Sequence, residues 1–352
     1  MGTQSRALGS VPERGLRVAA RRHRQDARPR RRPRFHPARL RRRSARPRVA
    51  SAAHPSQGRA KHRRRTAHLT GRPSPLTGPP LSFEGHTLTT ATHLHTLLAQ
   101  PPCALGVFVP AGVQEPDVQR RQLDHLAQAG ADLFEIGLPC ANPVLDGRLI
   151  RSAYQRALFK GNVLDRTVRA VAHAASLRPT VVMTYWDAVR RHGPEHLARL
   201  LADAGAAGIM VVDVPRSEAL RWHHAAHDAG LSTPHLIPRT TDEADVPAAV
   251  QGASGWLYAP ASSGLTGFQG PLDLTALEAF TERLRAASAL PVVSGVGISS
   301  PDLAARVAPL VDAVVIGTPI VRALLSDPGP AAAVTAAFAQ ALQPRIGTAH
   351  DA

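Results

Sequence analysis

Two carboxylic acids, Glu135 and Asp146, lie eleven positions apart, and Glu135 is enclosed in the apolar run 133–136. A charge inside an apolar strand is costly unless it has a role or a partner. Two carboxylates near one strand end can divide acid and base roles when their surroundings separate their pKa values. The pattern favours a catalytic pair, and the structural alternative is a buried, ion-paired glutamate followed by an aspartate in a turn.

Two glycine-bearing turns have the composition of phosphate sites at helix starts. Residues 295–302 read Gly-Val-Gly-Ile-Ser-Ser-Pro-Asp, and residues 317–319 read Gly-Thr-Pro. Ser300 and Thr318 are suited to cap helices, with a proline at the first helical position. Free backbone N–H groups at such starts attract anions. We predict a phosphate site at Gly297, Gly317 and Thr318, with ordinary strand-to-helix turns as the alternative.

A loop rich in small residues follows the apolar run that ends at Tyr258. Residues 261–267 read Ala-Ser-Ser-Gly-Leu-Thr-Gly. Such a loop is either a flexible surface connection or a lid that closes over a ligand. The functional interpretation places Thr266 and Gly267 in the lid.

Other residues at the ends of apolar runs could complete a binding site. Met183, Met210 and Tyr258 are candidates for the wall of an apolar pocket around a flat ring, although such residues more often belong to a core. Asp213 follows the fourth run and is expected either to orient the loop around the two acids or to cap a helix start.

Metal and nucleophile chemistry has weaker support. His223 and His227 are four residues apart, but they lack the His-Glu-x-x-His order and lie in a predicted outer helix. Cys140 has no obvious histidine partner, and no Gly-x-Ser-x-Gly occurs. We predict neither a catalytic metal nor a covalent nucleophile.

The elements that position these residues alternate between short apolar runs and helical patterns. Strands are predicted at 105–109, 133–136, 180–184, 209–212, 235–237, 256–258, 291–294 and 313–316. Helices are predicted at 91–100, 118–129, 194–204, 217–229, 272–287 and 301–308. Continuous apolar strands joined by helices indicate a parallel sheet covered by helices.

Eight such units in about 250 residues match the size of a (β/α)8 barrel, in which active sites lie at the carboxyl ends of the strands. The main alternative is an open, doubly wound α/β sheet. No Gly-x-Gly-x-x-Gly follows the first strand, which removes the usual dinucleotide argument for that alternative. We therefore predict an α/β TIM barrel.

Charge divides the chain of 352 residues into two parts. Residues 1–80 contain 23 of the 43 Lys and Arg residues and only 2 of the 26 Asp and Glu residues, so the remaining residues carry a net charge of −4. This distribution argues against nucleic-acid binding by the main body. We predict an Arg-rich disordered extension at 1–87, a barrel at 88–345 and a tail at 346–352.

Three interpretations of the extension stay open. It is plain disorder, including the product of a translation start placed too early, or a targeting peptide, or an electrostatic nucleic-acid arm. The two cysteines, Cys103 and Cys140, indicate a reducing compartment, which predicts a cytoplasmic location. The absence of a long apolar run argues against a membrane span.

The folded part resembles the alpha chain of tryptophan synthase over about residues 88–345. Residues 130–139 (Gly-Ala-Asp-Leu-Phe-Glu-Ile-Gly-Leu-Pro) and 145–147 (Leu-Asp-Gly) are similar to the segments that carry the family's catalytic glutamate and aspartate. Residues 212–215, 263–267 and 295–299 match three further signatures, and Gly317-Thr318 stands where the family has Gly-Ser.

The resemblance implies a lyase that splits indole-3-glycerol phosphate into indole and glyceraldehyde 3-phosphate without a cofactor. Glu135 would transfer the protons, Asp146 would bind the indole N–H, and the backbone at Gly297 and Gly317-Thr318 would hold the phosphate. The family works with a pyridoxal-phosphate beta chain in a heterotetramer, so that cofactor is expected only in the partner.

Three segments depart from the family pattern where it faces the beta chain. Residues 139–143 read Pro-Cys-Ala-Asn-Pro, Arg148 and Arg151 replace the usual Pro and Gln, and Asp187 replaces Asn. The acids are kept while the partner surface differs. Three alternatives stay open: a stand-alone lyase, an alpha chain with an unusual beta partner, and a non-catalytic barrel that binds a phosphorylated ligand and regulates a beta chain.

Overall fold

The computed structural model describes residues 90–326 and 329–343. The predicted extension 1–87 and the predicted tail 346–352 lie outside these residues, so the interpretations of both stay predictions. Within the described residues, no helix combines the length and the apolar character that a bilayer crossing needs.

The described residues contain eight parallel strands in one sheet. They are β1 Ala104–Pro110, β2 Leu133–Gly137, β3 Thr180–Thr184, β4 Gly208–Val211, β5 His235–Leu236, β6 Leu257–Pro260, β7 Val292–Gly295 and β8 Ala313–Ile316. Their order is β4-β3-β2-β1-β8-β7-β6-β5, and β1 pairs with both β2 and β8. Each predicted strand overlaps one of these.

Ser232 bridges the two end strands of the sheet. Its N–H donates to the Ala207 carbonyl, and its carbonyl accepts from the Ile209 N–H. These bonds link β4 to the segment that leads into β5. The result is a nearly closed (β/α)8 barrel, which confirms the predicted fold.

Helices surround the barrel in the described part of the chain. They are α1 Thr90–Leu98, α2 Pro116–Gln128, α3 Arg148–Lys160, α4 Val163–Leu177, α5 Trp186–His192, α6 Pro194–Asp203, α7 Ala219–Asp228, α8 Val246–Val250, α9 Leu274–Ala287, α10 Pro301–Val307, α11 Thr318–Leu325 and α12 Ala331–Leu342. Short 3-10 turns occur at Glu243–Asp245 and Ala308–Leu310.

The strands are apolar because both faces of the sheet are covered. Every residue of β1, β2 and β3 is buried. The helices contribute one apolar face each: α2 buries Leu123 and Leu126, and α4 buries Val171 and Ala174. Glu135 in β2 is therefore surrounded by apolar packing on a rigid element.

Two aspartates stabilise the amino ends of strands. Asp132 Oδ2 accepts from the Leu105 N–H at 2.8 Å, and Asp312 Oδ2 accepts from the Val292 N–H at 2.6 Å. Asp312 also pairs with Arg285 at 3.0 Å. Polar side chains at this end serve the fold, whereas those at the carboxyl ends of the strands are available for a ligand.

Candidate active site

A cavity of about 330 Å³ opens at the carboxyl ends of the strands. All eleven residues predicted for the site line it, and their roles in binding and catalysis stay predictions. They are Glu135, Asp146, Met183, Met210, Asp213, Tyr258, Thr266, Gly267, Gly297, Gly317 and Thr318.

Glu135 is a buried acid with an unpaired carboxyl oxygen among the described residues. Its side chain is in β2, the residue is 4 % exposed, and Oε2 has no hydrogen-bond partner within the described residues. Burial, followed by the negative charge of Asp146, raises the pKa of Glu135 to about 8. The structural alternative of a buried ion pair does not apply, because no described cation pairs with this carboxyl. Glu135 is suited to hold a transferable proton at neutral pH.

Asp146 is equally buried, but its carboxyl is hydrogen-bonded. The Tyr185 hydroxyl donates to Oδ2 at 2.8 Å, and the Thr266 hydroxyl donates to Oδ1 at 3.1 Å. Burial is the largest influence and raises the pKa of Asp146 above its ordinary value, while these two hydrogen bonds and the charge of Arg151 limit the rise. Arg151 Nε also donates to the Asp146 carbonyl at 2.6 Å. Donors that favour the ionised form surround Asp146, in contrast to Glu135.

The loop at 261–267 lies directly against the Asp146 turn. The Gly147 N–H donates to Thr266 Oγ1 at 2.8 Å, and the Thr266 N–H donates to the Leu145 carbonyl at 3.3 Å. A Cβ at Gly147 would collide with the Thr266 carbonyl, so the close approach requires glycine. At its other end, Gly267 faces the Thr318 side chain. The loop therefore extends along the cavity from the two acids to the turn at Gly317-Thr318.

The turn after β7 has a strained backbone suited to an anion. Val296 and Gly297 have φ values of 44° and 101°, and such a left-handed conformation is an outlier for a β-branched residue. Successive N–H groups in this type of turn form anion-binding concavities. Strain of this kind persists where the surrounding structure imposes it, commonly at functional sites.

The two predicted helix caps had different outcomes. Ser300 caps α10, with its Oγ accepting from the Leu303 N–H at 3.3 Å. The predicted cap at Thr318 is wrong by one position: Gly317 is the N-cap, and Thr318 is the first residue of α11. Proline is tolerated at either of the first two helical positions because its missing N–H has no intrahelical partner there. The position of Pro319 in the sequence is therefore compatible with a helix that begins at Thr318 or at Pro319 itself.

Apolar side chains form the wall between the acids and the glycine turns. Met183, Met210 and Tyr258 are buried, and each lines the cavity. Phe108, from β1, lines the same wall. The Tyr154 hydroxyl donates to Met183 Sδ at 3.8 Å and so holds one side of the wall. The wall could pack against a flat aromatic ring.

Asp213 lines the cavity but is hydrogen-bonded to a neighbouring helix. Its Oδ1 accepts from the Trp186 N–H at 2.5 Å. Trp186 is the first residue of α5. Of the two expected roles, the structure shows the contact of a helix cap, made to the helix after β3 rather than to the following one.

The sequence did not single out three polar residues that line the cavity or contact its acids. Tyr185 follows β3 directly and bonds Asp146, so a search for polar residues at strand ends would have found it. Arg239 and Arg322 are the cations that line the cavity within the described chain. Arg239 lies three residues after β5, and Arg322 lies in α11, four residues after Thr318.

The histidine pair on α7 does not converge on a common point. His223 Nε2 lies 3.1 Å from His235 Nε2, whereas the His227 side chain is 91 % exposed beside Asp228. Within the described residues, no three His, Cys, Asp or Glu side chains form a group that could hold a metal ion.

Comparisons with known proteins show which family the chain resembles. The family model described as tryptophan synthase alpha chain matches residues 94–345. A tryptophan synthase alpha chain from Streptomyces avermitilis is 35 % identical over 69 % of this chain and 88 % of its own length. One from Bifidobacterium longum is 30 % identical over 74 % of this chain and 89 % of its own length.

Solved structures are also similar. A chain of Mycobacterium tuberculosis tryptophan synthase has a TM-score of 0.66 and 29 % identity, covering 71 % of this chain and 98 % of its own. Tryptophan synthase subunit alpha from Legionella pneumophila has a TM-score of 0.63 and 28 % identity, covering 72 % and 97 %. The barrel, the cavity and these matches together show that the chain belongs to the tryptophan synthase alpha chain family.

Proposed function

We propose that the chain cleaves indole-3-glycerol phosphate to indole and glyceraldehyde 3-phosphate in this cavity, with Glu135 and Asp146 as its catalytic acids. Family membership makes the chain a carbon–carbon lyase. The observation that carries the assignment of residues is Glu135: a buried, unpaired acid shares one cavity with Asp146 and with two glycine turns.

Glu135 transfers the protons of the retro-aldol step. It donates a proton to the indole ring carbon that carries the glycerol chain, which converts the ring into a leaving group. It then accepts the proton of the adjacent glycerol hydroxyl. The carbon–carbon bond breaks, its electron pair restores the aromatic ring, and the hydroxyl carbon becomes an aldehyde. A carboxyl pKa of about 8 supports this role, because the acid is protonated at neutral pH.

Asp146 stays ionised and accepts a hydrogen bond from the ring N–H. Protonation of the ring carbon places positive charge on the ring nitrogen, and a fixed carboxylate nearby lowers the energy of that transition state. The hydroxyls of Tyr185 and Thr266 keep the carboxylate in place. The two acids thus take different roles, because two hydroxyls donate to Asp146 whereas no described residue donates to Glu135 Oε2.

The glycine turns hold the phosphate at the other end of the molecule. The backbone N–H groups near Gly297 and at the start of α11 bind the anion. Binding energy from this group, which does not react, positions the indole end against Glu135. Met183, Met210 and Tyr258 pack against the ring, and Thr266 and Gly267 close the cavity.

A tryptophan synthase beta chain in a heterotetramer is the proposed partner. Val144, Leu145 and Leu265 are exposed apolar residues on the two loops that cover the acids. The proton transfers need only carboxyls, so pyridoxal phosphate is assigned to the beta chain and no cofactor to this chain. A cytoplasmic location fits the two free cysteines and stays a proposal.

Indole release from indole-3-glycerol phosphate by the full chain, alone and with a beta chain, tests the proposal. We expect release by the wild type and a loss of kcat of about 10³-fold or more in Glu135→Gln. Glutamine is neutral and equal in size to glutamate, so the variant should fold normally. The melting temperature of Glu135→Gln, compared with that of the wild type, is the folding control. Unchanged turnover in this variant would exclude Glu135 as the acid.

The non-catalytic alternative gives a different result in the same assay. A regulatory barrel would release no indole in either arm, yet it would change the kinetics of the beta chain on mixing. In that case the wild type and Glu135→Gln would show the same absence of indole release and the same effect on beta-chain kinetics.

A further inference from the structure

A half-buried arginine stands at the edge of the cavity. Arg239 follows β5 and lines the cavity together with the glycine turns. Its Nη1 donates to the Ala261 carbonyl at 3.1 Å. Its guanidinium lies 5.7 Å from the centre of the buried Phe280 ring, on α9. One hydrogen bond and one aromatic face thus hold the group in place.

Within the described residues, the charge of Arg239 is only partly offset, by Asp273. Among the described residues Arg239 forms no ion pair, and Asp273 acts on it only from beyond ion-pair distance. Burial lowers its pKa, with the charge of Arg283 in the same direction. A guanidinium remains charged in proteins. The N–H groups of Arg239 that do not bond Ala261 can therefore donate to an anion, and such a pair would offset the cost of burying the charge.

Arg239 is connected to the phosphate turn through two residues. Ala261, which accepts its hydrogen bond, precedes Ser262. The Ser262 N–H donates to the Val296 carbonyl at 3.1 Å, and a Cβ at Gly297 would lie 3.1 Å from Ser262 Oγ. The guanidinium therefore lies beside the root of the lid, where the lid meets the proposed anion site.

We infer that Arg239 is a specificity residue that favours a phosphate dianion over an uncharged substrate, while its bond to Ala261 positions the root of the lid. The inference rests on the proposed function, since the phosphate is that of the proposed substrate. The glycine turns offer backbone dipoles and the Thr318 side chain but no charge. Arg239 adds a full charge in a partly desolvated place, where screening by salt is weaker than at the surface.

Two other arginines provide comparisons. Arg283 lies 5.3 Å from the same Phe280 ring but does not line the cavity, so it is a matched control for packing and overall charge. Arg322 lines the cavity but is exposed, so solvent screens its charge more strongly and its removal should have a smaller effect.

Binding of glycerol 3-phosphate, measured by calorimetry on the full chain, tests the inference without turnover. We expect Arg239→Met and Arg239→Gln to weaken binding about tenfold. Arg239→Lys, which keeps the charge, should stay within about threefold of wild type, and Arg283→Met should match wild type. Glycerol is the uncharged ligand, and its weak binding should be the same in all variants.

The comparison of lysine with glutamine separates charge from structure. Both side chains can donate to the Ala261 carbonyl, so a purely structural role predicts equal affinities in Arg239→Lys and Arg239→Gln, and that result overturns the inference. If Arg239→Met does not fold, this pair decides alone. If the wild type binds glycerol 3-phosphate but releases no indole, the proposed function is contradicted. The affinities of the Arg239 variants for glycerol 3-phosphate would still test the inference about Arg239.

Discussion

One end of the cavity is formed by side-chain functional groups and the other mainly by backbone. At the acid end, Glu135 and Asp146 present side chains whose chemistry depends on burial and on hydroxyl donors. At the proposed phosphate end, Val296, Gly297 and Gly317 present mainly backbone. An acid is tuned by what surrounds it, whereas an anion cradle depends on backbone conformation.

This difference predicts that substitutions at the two ends change different kinetic constants. Loss of an acid removes an interaction that exists mainly in the transition state, so kcat falls. Distortion of the cradle weakens a contact that is made throughout the reaction, so KM rises. The variants below test this division, in order of decreasing effect.

Asp146→Asn should lower kcat by about 10²-fold or more with a small change in KM. Asparagine keeps one acceptor oxygen, so it can retain one of the two hydroxyl hydrogen bonds, but it loses the charge that stabilises the protonated ring. Steady-state kinetics of indole release provide the measurement, and thermal unfolding is the folding control. A rise in KM at constant kcat would mean that Asp146 binds the substrate without stabilising the transition state.

The pH profile should follow the proton on Glu135. The acid is protonated below its pKa of about 8, so kcat/KM should fall about tenfold for each pH unit above that value. Because the charge of Asp146 raises this pKa, Asp146→Asn should move the falling limb to lower pH. Burial is the larger cause, so the limb should stay above the range of an ordinary glutamate. A limb at the same pH in both enzymes would contradict the coupling.

At the phosphate end, Gly297→Ala should raise KM about tenfold with a smaller change in kcat. The residue has a φ of 101°, and a Cβ would meet Leu272 at 3.0 Å and Ser262 Oγ at 3.1 Å. Gly230→Ala is the control for backbone strain, because its φ is also positive, at 74°, its Cβ would meet nothing within 4 Å, and it does not line the cavity. Equal KM values in the two variants would show that the conformation at Gly297 does not matter for binding.

The same division explains how much could be predicted from the sequence. The barrel follows from eight continuous apolar runs, because strands buried on both faces leave this pattern. Glu135 stands out as an acid in such a run, so residue type alone indicated its place. The fold and the candidate acids could therefore be predicted from residue types and their order along the chain.

The links between segments distant in sequence could not be predicted in this way. Tyr185 and Thr266 reach Asp146 from 39 and 120 positions away, and only the folded chain shows which atoms they bind. The position of the α11 start was missed because proline fits two helical positions. Arg239 belongs to no recognisable sequence motif. Its proposed role depends on the absence of an ion-pair partner among the described residues, which only the folded chain shows.

The smallest effect is expected at Asp213, which lines the acid end although its carboxyl bonds the start of α5. Asp213→Asn keeps an oxygen for the Trp186 N–H, so kcat/KM should stay within about threefold of wild type. Asp213→Ala should lower the free energy of unfolding by about 1 kcal/mol, measured by chemical denaturation.

A loss of kcat above tenfold in Asp213→Asn, at unchanged stability, would contradict the role of a cap. The negative charge of Asp213 would then belong to the chemistry, and the acid end would contain three acids. The hydrogen bond from the Trp186 N–H argues that only two acids act in the chemistry. It holds the Asp213 carboxylate at the start of α5, where the carboxylate has little freedom to move toward a reacting ring.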